Sequence, residues 1–119
     1  MSEWDLEISH YGEALLNSAH IRITKHHDDN MGIGYGCHIT KKAMEALGDP
    51  AYVRFYINRA RRMVKIEPCN RLDKSARKVR GKHAISGAPS LVKRYGLPLG
   101  YYIMTDEVGV FAWRLVDDV

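Results

Sequence analysis

Apolar and polar positions alternate along this chain in short runs, and turn-forming residues separate them. Trp4, Leu6 and Ile8 alternate and read as a short strand, followed by a helical turn over Tyr11 to Asn17. His20 to Lys25 alternates again and predicts a half-buried strand with Ile21 and Ile23 inward. His26 to Gly36 is rich in Asp, Asn and Gly and reads as a turn or mobile loop. A short helix is expected after Thr40, whose side chain suits an N-cap. Ala43, Met44 and Leu47 lie on one helical face, Gly48 stops the helix and Pro50 forbids its continuation. Val53, Phe55 and Ile57 then share one face of a strand. Asn58 to Arg62 is a polar turn, and Met63 to Glu67 returns with Val64 and Ile66 inward, up to Pro68.

The second half repeats this grammar. Ile85-Ser86 leads to a helix over Ala88 to Tyr95, with Pro89 near its start and Gly96 at its stop. After Pro98, residues 100–104 and 110–116 form a hairpin around Thr105 to Gly109. At an offset of 48, Gly48 matches Gly96, Pro50 matches Pro98, and Val53 and Phe55 match Tyr101 and Ile103. Ile39 and Ile85 lead the two units with a two-residue slip. Each half therefore reads strand–helix–hairpin, and one such unit is too small to bury its apolar face alone. The expected fold is α+β and β-rich: two related strand–helix–β-hairpin units around one core. Residues 1–119 form a single domain, with a first unit at 20–68, a basic connector at 69–82 and a second, divergent unit at 83–119.

Charge changes the picture more than composition does. The 119 residues carry a net +4, but residues 1–20 hold four acids and no Lys or Arg. Residues 59–82 hold ten cations against Glu67 and Asp73, a local +8. Such an excess attracts phosphates or an acidic protein surface. Residues 69–82 hold few large apolar groups and read as a connector or exposed arm, with a short basic helix over Ser75 to Arg80. No apolar run reaches the roughly 20 residues of a membrane span, and the acidic N-terminus lacks the apolar core of a secretory signal. With two cysteines, the expectation is a reduced cytoplasmic protein without disulfides.

The stretch from Gly36 to Pro68 resembles the SpoVT/AbrB swapped-hairpin family. The likeness lies in Ile39-Thr40-Lys41-Lys42 entering a short helix, then Ala46-Leu47-Gly48, then the strands Tyr52–Ile57 and Met63–Glu67. It covers about 33 of 119 residues. Members are intertwined β-rich dimers, many of them DNA-binding regulators or antitoxins, and MraZ-type proteins carry two units in one chain. The resemblance implies such a two-unit arrangement, DNA binding and a homodimer. DNA-binding members have Gly-Arg where this chain has Gly36-Cys37. They have basic residues mid-helix where it has Met44 and Glu45, and Pro where it has Thr40. DNA contacts are therefore expected from other cations: Arg54, Arg59, Arg61, Arg62, Lys65, Arg71, Lys74, Arg77, Lys78, Arg80 and Lys82. The expected partner is double-stranded DNA. The alternative is a protein-binding module, an antitoxin or a phage-type inhibitor of a host nucleic-acid enzyme, meeting an acidic protein surface.

No catalytic set is legible, and no enzyme, cofactor or metal is expected. His26-His27-Asp28-Asp29 lacks metal-ligand spacing. Cys37 and His38 are neighbours on a strand and point apart. Cys69 reads as a plain thiol, and Ser86 and Ser90 have no nucleophile motif. Gly32, Gly34 and Gly36 lack the spacing of a phosphate loop. Trp113 is assigned to the core.

Overall fold

The computed structural model describes residues 18–28 and 32–114. The expected strand over Trp4 to Ile8, the turn over Tyr11 to Asn17, and residues 115–116 of the last strand lie outside them. Among the described residues, eight strands close into one antiparallel barrel. They are β1 (His20–Asp28), β2 (Gly32–Ile39), β3 (Tyr52–Asn58), β4 (Met63–Pro68), β5 (Arg77–Arg80), β6 (Ala84–Ile85), β7 (Gly100–Met104) and β8 (Val110–Arg114). Around the wall they run β1-β2-β6-β5-β3-β4-β8-β7. Two six-residue helices, α1 (Lys41–Ala46) and α2 (Ala88–Lys93), follow β2 and β6, and a 3₁₀ turn, Gly81–His83, joins β5 to β6.

The expected α+β fold is thus corrected to a mostly-β barrel, because two stretches read as loop or helix are strand. The first is the Asp- and Gly-rich stretch: β1 runs on to Asp28 and pairs with β2 from Ile21↔Ile39 to Asp28↔Gly32. Two of its glycines, Gly34 and Gly36, serve packing. Gly34 faces His26 across the ladder, and a Cβ there would collide with the imidazole. The second is Arg77–Arg80, which is strand and not basic helix: Lys78 pairs with Tyr52, Arg77 with Val53 and Val79 with Ile85. α2 also ends at Lys93, short of Tyr95.

The wall has an internal symmetry that follows from the strand order. Advancing each strand by four places, β1 to β5, β2 to β6 and so on, maps every neighbouring pair onto another neighbouring pair. The repeating unit is therefore hairpin–helix–hairpin, where the sequence pattern had one strand fewer per unit. Hairpins of the two units alternate around the wall: β1-β2, β6-β5, β3-β4, β8-β7.

Alternation along each strand fills the barrel. Ile21 and Ile23 on β1, Cys37 and Ile39 on β2, Val53 on β3, Val64 and Ile66 on β4, Tyr102 on β7 and Phe111 on β8 are all buried. Each such aliphatic or aromatic side chain is worth about 1.5–3 kcal/mol of burial. Trp113 packs against this core and is partly exposed. No buried side-chain polar atom among the described residues lacks a hydrogen bond.

Strand polarity places the helices. β1, β3, β6 and β8 run one way and the other four run back, so α1, after β2, and α2, after β6, sit at opposite ends. The Thr40 hydroxyl accepts from Ala43 N at 3.3 Å, capping α1, and from His20 N at 3.0 Å, tying it to β1. Ala43 and Met44 close that end, and Ala88, Leu91 and Leu97 close the other. Among the described residues, no helix is long and apolar enough to cross a membrane.

Candidate nucleic-acid interface

The β3–β4 turn presents three arginines because its backbone is locally tied. Asn58 Oδ1 accepts from Arg61 N at 3.1 Å, and Arg62 N donates to Arg59 O at 3.2 Å. Arg59, Arg61 and Arg62 are exposed. Arg62 has a left-handed backbone, φ 53°, and its guanidinium lies 4.8 Å from the Trp113 ring centroid. Trp113 N donates to Arg62 O, so the turn is docked on β8.

The 69–76 segment is a tied crossover and not an arm. It leaves β4, passes β3 and enters β5. Asn70 Oδ1 accepts from Leu72 N, and Asp73 Oδ1 from Ser75 N at 2.8 Å, two consecutive side-chain-capped turns. Asp73 Oδ2 also receives Arg54 Nη1 at 2.9 Å, and Arg54 Nη2 reaches Glu67 Oε2 at 3.1 Å. The Arg54 hydrogen bond holds the Glu67 carboxyl below its usual range. The bond from Ser75 N, then that from Arg54, does the same for Asp73.

Arg77 faces the α2 end from β5. Its Nη1 donates to Gly87 O at 2.6 Å and Ser86 O at 3.3 Å, its Nη2 to Ser90 Oγ at 2.8 Å, and its guanidinium lies over Phe55. Every one of these acceptors is neutral. Loss of hydration pushes the guanidinium below its usual range. β3 and β5 pair at two positions and then diverge, and the gap is a cleft of about 380 Å³. Phe55, Ile57 and Tyr95 give it apolar walls, and Lys74, Arg77 and Arg94 give it positive charge.

These placements divide the predicted basic segment. Arg59, Arg61, Arg62, Lys74 and Arg77 lie toward the α2 end. Lys78 and Arg80 are exposed on β5 toward the α1 end, and the side chain of Lys82, in the 3₁₀ turn, is outside the described set. Arg54 is committed to two carboxylates, Lys65 lies 3.5 Å from Glu67, and Arg71 is exposed in the crossover. The pattern of the chain missed Lys93, Arg94 and Arg114. The strand order alone brings them to the end that carries the arginine turn.

The carboxylates are arranged in the opposite sense. Among the described residues, Glu45 lies in α1 and Asp49 just after it, and Asp106 and Glu107 occupy the β7–β8 turn, all at the α1 end. Glu67 and Asp73 are held by Arg54, and Asp28 ends β1 on the α2 side. Among the described side chains, the α2 end is therefore cationic. His26 and His27 are adjacent on β1, and no group of three or more His, Cys, Asp or Glu among the described residues is placed to hold a metal. Burial pushes the Cys37 thiol up to about 12, well away from thiolate chemistry.

Comparison with known proteins adds no relative: no family model, no curated protein and no solved structure matches this chain.

Proposed function

We propose that this chain is a small DNA-binding protein that meets duplex phosphates with the α2 end of its barrel. The observation that carries the reading is the segregation of charge. Arg59, Arg61, Arg62, Lys74, Lys93, Arg94 and Arg114 gather at one end, and the six carboxylates whose side chains are described are elsewhere or already paired. A surface of this kind raises the local concentration of a polyanion and gives salt-sensitive binding. The reading takes up the resemblance to swapped-hairpin regulators, and in this chain hairpins of two units alternate around one wall. On this reading the regulatory role goes with the resemblance, and the contacts are this chain's own.

The test is fluorescence anisotropy on a random duplex from low to physiological salt. We expect a log–log salt slope of about −3 to −5, as for a handful of phosphate contacts. Reversing the charge of Arg59, Arg61 and Arg62 together is expected to weaken binding by about tenfold or more, and reversal of Lys78 and Arg80 by much less. No binding at low salt sinks the proposal and turns the search to acidic protein partners. Binding indifferent to the triple reversal shows that the interface is misplaced.

A further inference from the structure

The cleft between β3, the 69–76 crossover and α2 has a chemistry that general phosphate attraction leaves unexplained. Its volume, about 380 Å³, falls in the range of roughly 300–1,000 Å³ usual for small-molecule sites. Lys74, Arg77 and Arg94 converge on it, and no carboxylate lines it. Arg77 is the telling member. It is half-buried, its acceptors among the described residues are all neutral oxygens, and no ion pair to it is present among them. Those three bonds occupy both Nη1 hydrogens and one on Nη2. The Nε hydrogen and one Nη2 hydrogen are left over for a further acceptor. A partly desolvated cation without a counter-charge is costly, and a bound anion relieves that cost.

The apolar part of the lining narrows the ligand. Phe55 and Ile57 sit on the inward-facing side of β3 with Val53, yet both are partly exposed because β5 diverges there. Tyr95 stands opposite with the Arg94 guanidinium 5.6 Å from its ring centroid. A bare phosphate or a backbone phosphate passing over the surface makes no use of these walls. A phosphate carrying a flat heteroaromatic group uses both parts.

We infer that this cleft binds a single nucleotide unit, its phosphate on Lys74, Arg77 and Arg94 and its base against the Phe55, Ile57 and Tyr95 walls. The unit is either a free mononucleotide or the unpaired terminal nucleotide of a strand. The inference deepens the DNA reading, since the cleft lies at the same end of the barrel, and in that sense it rests on it.

The test is a ¹H–¹⁵N correlation titration of the full chain with deoxyadenosine 5′-monophosphate, with deoxyadenosine, with inorganic phosphate, and with a duplex carrying one 5′-phosphorylated overhanging nucleotide. We expect the mononucleotide or the overhang to shift residues 74–77, 86–87 and 94–95. The nucleoside and inorganic phosphate should each bind about tenfold more weakly or worse. A response to the mononucleotide assigns the free source, and a response to the overhang alone assigns the strand. Lys74→Glu and Arg94→Glu, both exposed positions, should each weaken the response by about tenfold. No shift at these residues with either nucleotide probe overturns the inference, as does equal binding of nucleoside or of inorganic phosphate. Titration of the wild-type chain with blunt duplex separates the two readings. A cleft that still takes the nucleotide while the wild-type chain fails to bind blunt duplex leaves this inference standing and removes the DNA reading.

Discussion

Arg62 holds a backbone conformation that glycine adopts at no cost, φ 53°, and its guanidinium covers one face of Trp113. The two effects oppose each other. A left-handed non-glycine residue costs about 1 kcal/mol, and an exposed cation–π contact returns about 0.5–1 kcal/mol. Arg62→Gly is therefore expected to change stability by less than about 0.5 kcal/mol in urea unfolding. On the proposed interface it removes one phosphate contact, so the DNA salt slope should fall by about one while the fold is unaffected. A slope that does not move takes Arg62 out of the interface. At this scale the sequence was a fair guide to which residues are cationic and a poor guide to how each one is held. Arg54 and Arg77 look like Arg59 and Arg61 in a charge count. Their carboxylate and carbonyl partners come from residues 9 to 19 positions away, and no local pattern records such pairings.

Elements with terminators were legible, and elements without them were not. α1 falls where Thr40, Gly48 and Pro50 placed it, because capping and stopping are local chemistry. Thr40→Ala removes acceptors for both Ala43 N and His20 N, and should cost about 1–2 kcal/mol in chemical denaturation. Thr40→Ser should recover most of that loss. β5 was invisible for the converse reason. Arg77-Lys78-Val79-Arg80 has one aliphatic residue, and the strand exists because β3 and β6 offer it open edges. The 69–76 crossover that delivers it depends on the Arg54–Glu67–Asp73 cluster, which gives a pH signature. Both carboxyls are lowered in the folded chain, so the folded state binds fewer protons than the unfolded one as acid is added. Their contribution is present above the ordinary values of 4.5 for Glu67 and 3.8 for Asp73. It is lost as pH falls through those values toward the depressed folded ones. The melting temperature should therefore drop across this acid range, and Arg54→Gln should melt lower at pH 7 with a visibly flatter profile. An unchanged profile in Arg54→Gln shows that other carboxyls govern acid sensitivity.

At the scale of the whole molecule, the alternation of hairpins decides how the fold holds together. Each unit contributes two hairpins, and each hairpin is flanked on both sides by hairpins of the other unit. β2 pairs with β6, β3 with β5, β4 with β8 and β1 with β7. The repeat at offset 48 hinted at two units, but it compared each with its own image and said nothing of how they interlock. That interlock has a thermodynamic consequence. An isolated first unit, residues 1–68, has four strand edges and one helix end without partners, and it lacks Tyr102, Phe111 and Leu91 from its core. It cannot close a barrel alone. A second copy of the same unit offers edges in the same order by the symmetry of the wall, so two copies suffice in principle to complete eight strands. Residues 1–68 are therefore expected to be unfolded at low concentration by circular dichroism. Any folded material should be dimeric in sedimentation, with a concentration-dependent melting temperature. The full chain carrying Trp4→Phe, by contrast, should unfold in one transition, with fluorescence of Trp113 in the second unit and far-ultraviolet dichroism of the whole wall coinciding. A folded monomeric 1–68, or two separate transitions in the full chain, contradicts the interlocked barrel, because either result requires one unit to close its own edges without the other.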